Sequence, residues 1–465
     1  MDKDASAVPT IDSFIAQNED RHLEDLKGFL RIPSISALPE HKEAMVRCAR
    51  HAADQMRAIG LTRVEVMPTG GHPVVYGEWL GAPGSPTALV YGHYDVQAVD
   101  PVELWTTPPF DPQVRDGELY ARGAADDKGQ VFLHWKAVEA HLKVNSRLPV
   151  NLKFLIEGEE EVGSEHLDEF LGANHELLKA DVAVTSDTGW FDRGVPSIGY
   201  GLRGLTYLQV NLKGPDSDLH SGSFGGAIAN PLQVLADIIA GLKDRHGRVD
   251  VPGFYDRVRP LAAEERRQFA RLRFDEESYR RQLGVPALYG EEGYTTLERV
   301  WARPTLEING LWGGFTGERA KTVLPSRAHA KLSCRLVPDQ DPEEITALVE
   351  ARLRDLCPPT VTMEIQRMHM GKPALTPTDH PAVQAAARAM ERAFGKPTAL
   401  IRSGGSIPIV ASLKELLGIP SVLMGFALPD DHAHAPDERL DLNNFFGGIR
   451  AAAYLWEELG ATSRA

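Results

Sequence analysis

Four times in this chain a short apolar run breaks off into acids and histidines, and that recurrence restricts the fold more than any other feature. Ala88-Leu-Val-Tyr91 runs into Gly92-His93-Tyr94-Asp95, and the run ending at Ile156 meets Glu157-Gly-Glu159-Glu160-Glu161. Asp181-Val-Ala-Val-Thr-Ser ends at Asp187, and the apolar stretch from Ser421 ends at Asp430-Asp431-His432-Ala-His434. Runs this short read as strands, and helix-length stretches from about 128 to 142 and from about 164 separate them. Strands alternating with helices predict an α/β domain with a mainly parallel sheet flanked by helices. Sheets of that kind carry their sites beyond the C-terminal strand ends.

Around Gly201-Leu-Arg-Gly204 the pattern changes to alternating strand-like segments, 206–212 and 328–336, separated by polar helical material. A helix over 380–394, a strand at 422–425 and a last helix through Trp456 then restore the first pattern. The chain is expected to hold a discontinuous domain, 1–202 and 373–465, with a smaller α+β domain, 203–372, inserted in it. Phe14, Leu23, Leu26 and Leu30, and then 44–59, predict peripheral helices at the start. Residues 244–294, dense in Arg and Glu, read as a solvated helical surface.

Composition narrows the partners. With 465 residues, 50 Lys plus Arg against 65 Asp plus Glu and a net charge of −15, the chain repels phosphate backbones and anionic bilayers. Neither nucleic acid nor membrane is an expected partner. The three cysteines form no CxxC pair, which fits a reducing compartment. The start lacks a basic segment leading into an apolar run, and the apolar stretches fall short of the roughly 20 residues of a membrane span. The expected location is the cytoplasm.

His93 and Asp95 share one face if the strand persists, so that Asp95 takes one imidazole nitrogen and leaves the other for a metal; a surface turn is the alternative. Arg122-Gly-Ala-Ala-Asp126-Asp127-Lys128-Gly129 opens a helix. One acid there is an ordinary N-cap, but a second exceeds what a cap needs and suits a carboxylate bridging two cations. The glutamates at 157–161 repel one another unless cations or solvent screen them. One would bind metal while a neighbour acts as general base.

The ordered set His93-x-Asp95, Arg122-Gly-x-x-Asp126-Asp127-Lys128-Gly129, Glu160-Glu161-x-Gly-Ser164, Asp187, His220-Ser-Gly222 and His434 resembles the dinuclear metallopeptidases. That family includes carnosinase-like cytosolic dipeptidases, aminoacylases and succinyl-diaminopimelate desuccinylases. Gly201-Leu-Arg-Gly204, Leu219-His-Ser-Gly222, Ala320-Lys-Thr-Val323, Arg335-Leu-Val-Pro338 and Gly404-Gly-Ser-Ile-Pro408 make the carnosinase-like branch the nearest in texture. The resemblance implies that His93 and Asp187 hold one metal, Glu161 and His434 the other, and Asp126 bridges them. Glu160 would be the general base and Asp95 would orient His93, with a cis Asp126–Asp127 peptide. Two departures stand out: Glu159 blurs the register of base and ligand, and His432 offers a competing imidazole.

The implied cofactors are two divalent ions per chain, zinc first, with manganese or cobalt as alternatives. His220, otherwise read as an exposed histidine, would stabilise the oxyanion from a neighbouring subunit's inserted lid and dimerisation domain, which implies a homodimer. Arg335 suits a substrate carboxylate or a structural salt bridge, and Gly405 and Ser406 lie in a Gly-rich turn of a kind that binds anions. The resemblance favours substrate binding for all three. The expected activity is amide hydrolysis in dipeptides or short peptides. An N-acyl- or N-succinyl-amino-acid deacylase and a metal-dependent binding protein are the alternatives.

Overall fold

A computed structural model describes residues 10–462. The described chain separates into two compact units, one formed by residues 10–200, 376–401 and 412–462 and the other by 201–375 and 402–411. Segment 402–411, expected with the outer domain, therefore groups with the inserted one. Hydrogen bonds from Arg203 explain it: its backbone N–H donates to the Gly405 carbonyl, and its side-chain Nε donates to that of Gly404.

In the first unit the strands Arg63–Met67, Val74–Trp79, Asn151–Glu157, Thr87–His93, Val182–Thr185 and Ser421–Leu423 are neighbours in that order. The last four run parallel, and the first two are antiparallel. All four acid-terminated runs thus end on one edge. Helices Lys128–Asn145, Pro381–Phe394 and Leu442–Thr462 pack together over the sheet. Every residue from Lys128 to His141 is buried, which explains why the first of these helices has no solvent face.

The N-terminal helices Ile11–Gln17 and Glu19–Leu30 differ from expectation. Ile15, Leu26, Phe29 and Leu30 are fully buried in the main core, so these helices complete the core instead of lying on its periphery. Their spacing marked the apolar face, but not that Lys128–Asn145 needed covering.

The second unit centres on a four-stranded antiparallel sheet, Thr305–Gly313, Arg327–Leu336, Gly204–Lys213 and Thr362–Gly371 in spatial order. Leu208, Val210 and Leu212 alternate inward with Ala328, Ala330 and Leu332, against helices Pro231–Ala240 and Pro342–Leu356. The polar stretch after 244 is organised by arginine on tyrosine: Arg303 stacks on Tyr255 and Tyr294, and Arg248 on Tyr255.

Candidate metal centre

His93 is the last residue of its strand and lies opposite Glu157, the last of the neighbouring parallel strand. Glu160 and Glu161 form the short turn beyond, and Asp187 follows strand Val182–Thr185. Two glycines allow the close approach of these loops. A Cβ at Gly92 would stand 2.6 Å from the Asp127 carboxylate, and one at Gly425 would stand 1.9 Å from the Thr188 carbonyl. Asp127 therefore reaches the His93 N–H, accepting from it at 3.2 Å, while the chain after Ser421–Leu423 runs against the Asp187 turn. The Asp126–Asp127 peptide is cis, as the resemblance implied.

Two groups of ligand-type side chains result, His93 with Glu160 and Asp187, and Asp126 with Glu161 and His434. Within each group one donor atom per residue lies within 4.8 Å of the others. Asp126 faces both histidines: Oδ1 is 3.1 Å from His93 Nε2, and Oδ2 is 2.8 Å from His434 Nε2. His434 Nε2 is also 3.2 Å from Glu161 Oε2, which accepts from Gln97 at 2.8 Å. Asp95 supports both groups. It sets its carbonyl and Oδ1 at 3.1 and 3.3 Å from His93 Nδ1, and its Oδ2 accepts from the Glu161 N–H at 3.1 Å. Nδ1 meets only acceptors and so carries a proton, while Nε2 is the nitrogen turned toward Asp126 and the centre.

The electrostatics call for positive charge. Burial alone would lower the His93 imidazole, but hydrogen bonds to Asp126 and Asp95 hold it well above its ordinary value. Asp126 and Glu161 push His434 up to about 10. Burial raises Asp187 well above the usual carboxylate range, with Asp126 adding to it, and burial, aided by Glu161 and Asp126, lifts Glu160 to about 7. Among the described residues the ion pairs of Asp126 and Glu161 are with His93 and His434 and not with lysine or arginine, and Glu161 Oε1 is buried without a hydrogen-bond donor. A mixed imidazole and carboxylate set with that deficit fits divalent cations.

A family model described as peptidase family M20/M25/M40 matches residues 89–458. The chain belongs to that family. It is a peptide-hydrolysing enzyme, as the resemblance implied. Among its relatives, the Cys-Gly metallodipeptidase dug1 of Schizosaccharomyces pombe is 32% identical over 465 residues, covering 97% of this chain and 98% of that protein. The metallo-carboxypeptidase Sso-CP2 of Sulfolobus solfataricus superposes with a TM-score of 0.85 at 34% identity, covering 95% of this chain and all of the other. Human carnosine dipeptidase 1 superposes at 0.81 and 32%, covering 98% and 100%.

Within this M20-type centre the two ambiguous neighbours part company. Glu159 turns away to His166 Nδ1 at 2.9 Å. His432 is exposed and stands near Asp437, whereas His434 reaches the acids. Both histidines sit in the left-handed region, at φ 57° and 61°, so one tight turn presents them in different directions.

Sequence reasoning missed Glu438, Gln97 and Gln130. Gln130 donates to the Ala125 carbonyl and accepts from the Phe426 N–H, joining the Asp126 loop to the strand leading toward His434. These amides and acids have no local pattern, and only their distant partners give them a role.

In the second unit Arg335 Nη1 donates to Ser406 Oγ at 3.0 Å. The Ser406 hydroxyl proton goes to the Arg203 carbonyl. Ser406 therefore braces Arg335 and has no proton left for an anion in this arrangement. The Gly405 N–H, read as anion-facing, donates to Ser403 Oγ at 3.2 Å. His220 is exposed, and its Nδ1 accepts from the Gly222 N–H at 3.0 Å.

Proposed function

We propose that this chain is a dinuclear metal-dependent dipeptidase that cleaves the amide bond of dipeptides or short peptides. The observation that carries the reading is the Asp126 carboxylate, which offers one oxygen to each of two imidazoles with Glu160 in the adjoining group. His93 and Asp187 would hold one cation, Glu161 and His434 the other, and Asp126 would bridge them. Zinc is the first candidate, then manganese or cobalt. Two bound cations would activate water and polarise the scissile carbonyl.

The chain's own groups supply the proton traffic. Glu160, with a raised affinity for protons, takes one from the attacking water and hands it to the departing amine. Asp95 keeps the His93 proton on Nδ1, so that Nε2 stays aimed at the centre. His220, with Nδ1 accepting from backbone, is an Nε2–H donor when neutral and suits a developing oxyanion. It would reach the site of a second subunit, the inserted unit serving as lid and dimerisation domain. Arg335, braced by Ser406, would grip the substrate carboxylate.

Among the described residues no helix is long and apolar enough to cross a membrane. A cytoplasmic setting agrees with three free cysteines.

Metal content followed by a panel of dipeptides against N-acetyl and N-succinyl amino acids, before and after chelation, tests the reading. About two metals per chain with chelator-sensitive dipeptide cleavage is the expected result. Preference for acylated substrates would move the chain to the deacylases, and metal without turnover would make it a binding protein.

A further inference from the structure

Glu438 lies four residues beyond His434 and at the head of strand Arg439–Asp441. Its side chain is wholly buried, and both oxygens are used twice. Oε2 accepts from Arg122 Nη1 at 2.7 Å and the Gly123 N–H at 3.0 Å. Oε1 accepts from the Ala125 N–H at 2.9 Å and from the N–H of Asp126 itself at 3.1 Å. The Glu438 carbonyl takes the Ala121 N–H as well, at 3.1 Å. Arg122 is in turn fixed by the Ala98 carbonyl and lies over the Trp105 ring.

One carboxylate thus gathers the whole loop 122–126 and ties it to the turn that carries His434. We propose that Glu438 is a positioning residue that sets the distance between Asp126 and His434, and so the affinity of the cation those two share. The inference rests on the metal reading above.

An ionised carboxylate is acceptor-only and matches four donors, one of them charged. An amide in its place would turn an N–H₂ toward two N–H donors, and the Asp126 backbone would have to move. A core ion pair serving stability alone would need only Arg122. Three backbone N–H groups of the metal-bearing loop, the last belonging to a ligand, point instead to control of loop geometry.

The test compares Glu438→Gln with the wild-type chain by metal content after dialysis, by metal affinity in chelator competition and by steady-state kinetics. Expected are an unchanged far-ultraviolet circular dichroism spectrum and a fall from about two bound metals to about one. The weaker metal should lose roughly 10- to 100-fold in affinity. kcat should fall at low metal with KM little changed, and recover when excess metal is added.

Two tightly held metals with only a lower melting temperature would overturn the proposal. Should Glu438→Gln fail to fold, Glu438→Asp keeps the charge with a shorter reach and is measured in the same way. Failure of both to fold would assign Glu438 to global stability and overturn the inference. A wild-type chain that binds no metal overturns the metal reading itself, whereas intact wild-type binding with an indifferent Glu438→Gln overturns this step alone.

Discussion

The two groups of candidate ligands stand on different supports. His93 and Asp187 extend directly from adjacent parallel strands in the main core, and His93 is fully buried. Asp126, Glu161 and His434 come from a loop, a short turn and a left-handed turn, and the His434 side chain is 54% exposed. Strand ends inherit the stiffness of the sheet, whereas the second group depends on side chains such as Gln97, Gln130 and Glu438 that fasten one loop to another. His93 and Asp187 are thus held by the sheet, and Asp126, Glu161 and His434 by a polar network laid over it.

The largest expected effect cuts across this contrast. Glu160→Gln should leave metal content near wild type while turnover falls about 10³-fold. Loss of metal instead would mean that Glu160 is a ligand, as its grouping with His93 and Asp187 permits. Next comes His220→Ala, at a residue that belongs to neither group. A folded dimer with kcat down about 10²-fold is expected, and unchanged activity would remove the cross-subunit role.

Acid sensitivity should come from the strand-supported side. The Ser186 hydroxyl donates to the Met424 carbonyl, so buried His134 must donate to Ser186 Oγ from Nε2, leaving Nδ1 without a partner. Burial accordingly pushes His134 down to about 3. Because the unfolded imidazole takes a proton below pH 6.5 and the folded one does not, stability is whole above that pH. It falls as the pH drops toward 3, by about 2 kcal/mol at pH 5. Urea titrations across this window should show it, with a smaller slope in His134→Gln.

The smallest effect addresses the contrast itself. In the metal-free chain His93→Ala should cost about 1 kcal/mol more stability than His434→Ala, since only the former empties a packed position. Equal costs in denaturant melts would mean that the turn is held as firmly as the strand.

Much of this architecture was legible because it rests on local pattern. Apolar runs of strand length ending in acids gave away the parallel sheet and its functional edge, since side chains at a strand end inherit the strand's direction. The strand Gly204–Lys213 and its partner Arg327–Leu336 were likewise visible in alternation. Glu438 was invisible because each of its side-chain partners lies more than 300 positions away, and an isolated acid after a turn has no distinguishing spacing.

Ser406 shows the converse. A Gly-rich turn with a hydroxyl reads as an anion site, yet the fold had already committed that proton to Arg203.

By itself, the sequence determined which chemical groups are present and which sheet edge they leave from, because periodicity and chain direction are local properties. Only the tertiary structure decided that Glu159 turns to His166, that His434 and not His432 meets Asp126, and that Glu438 clamps the loop between them. The last two choices depend on hydrogen bonds between segments about 300 residues apart, and the first on how one short turn folds back over seven positions; no local pattern specifies any of these partners.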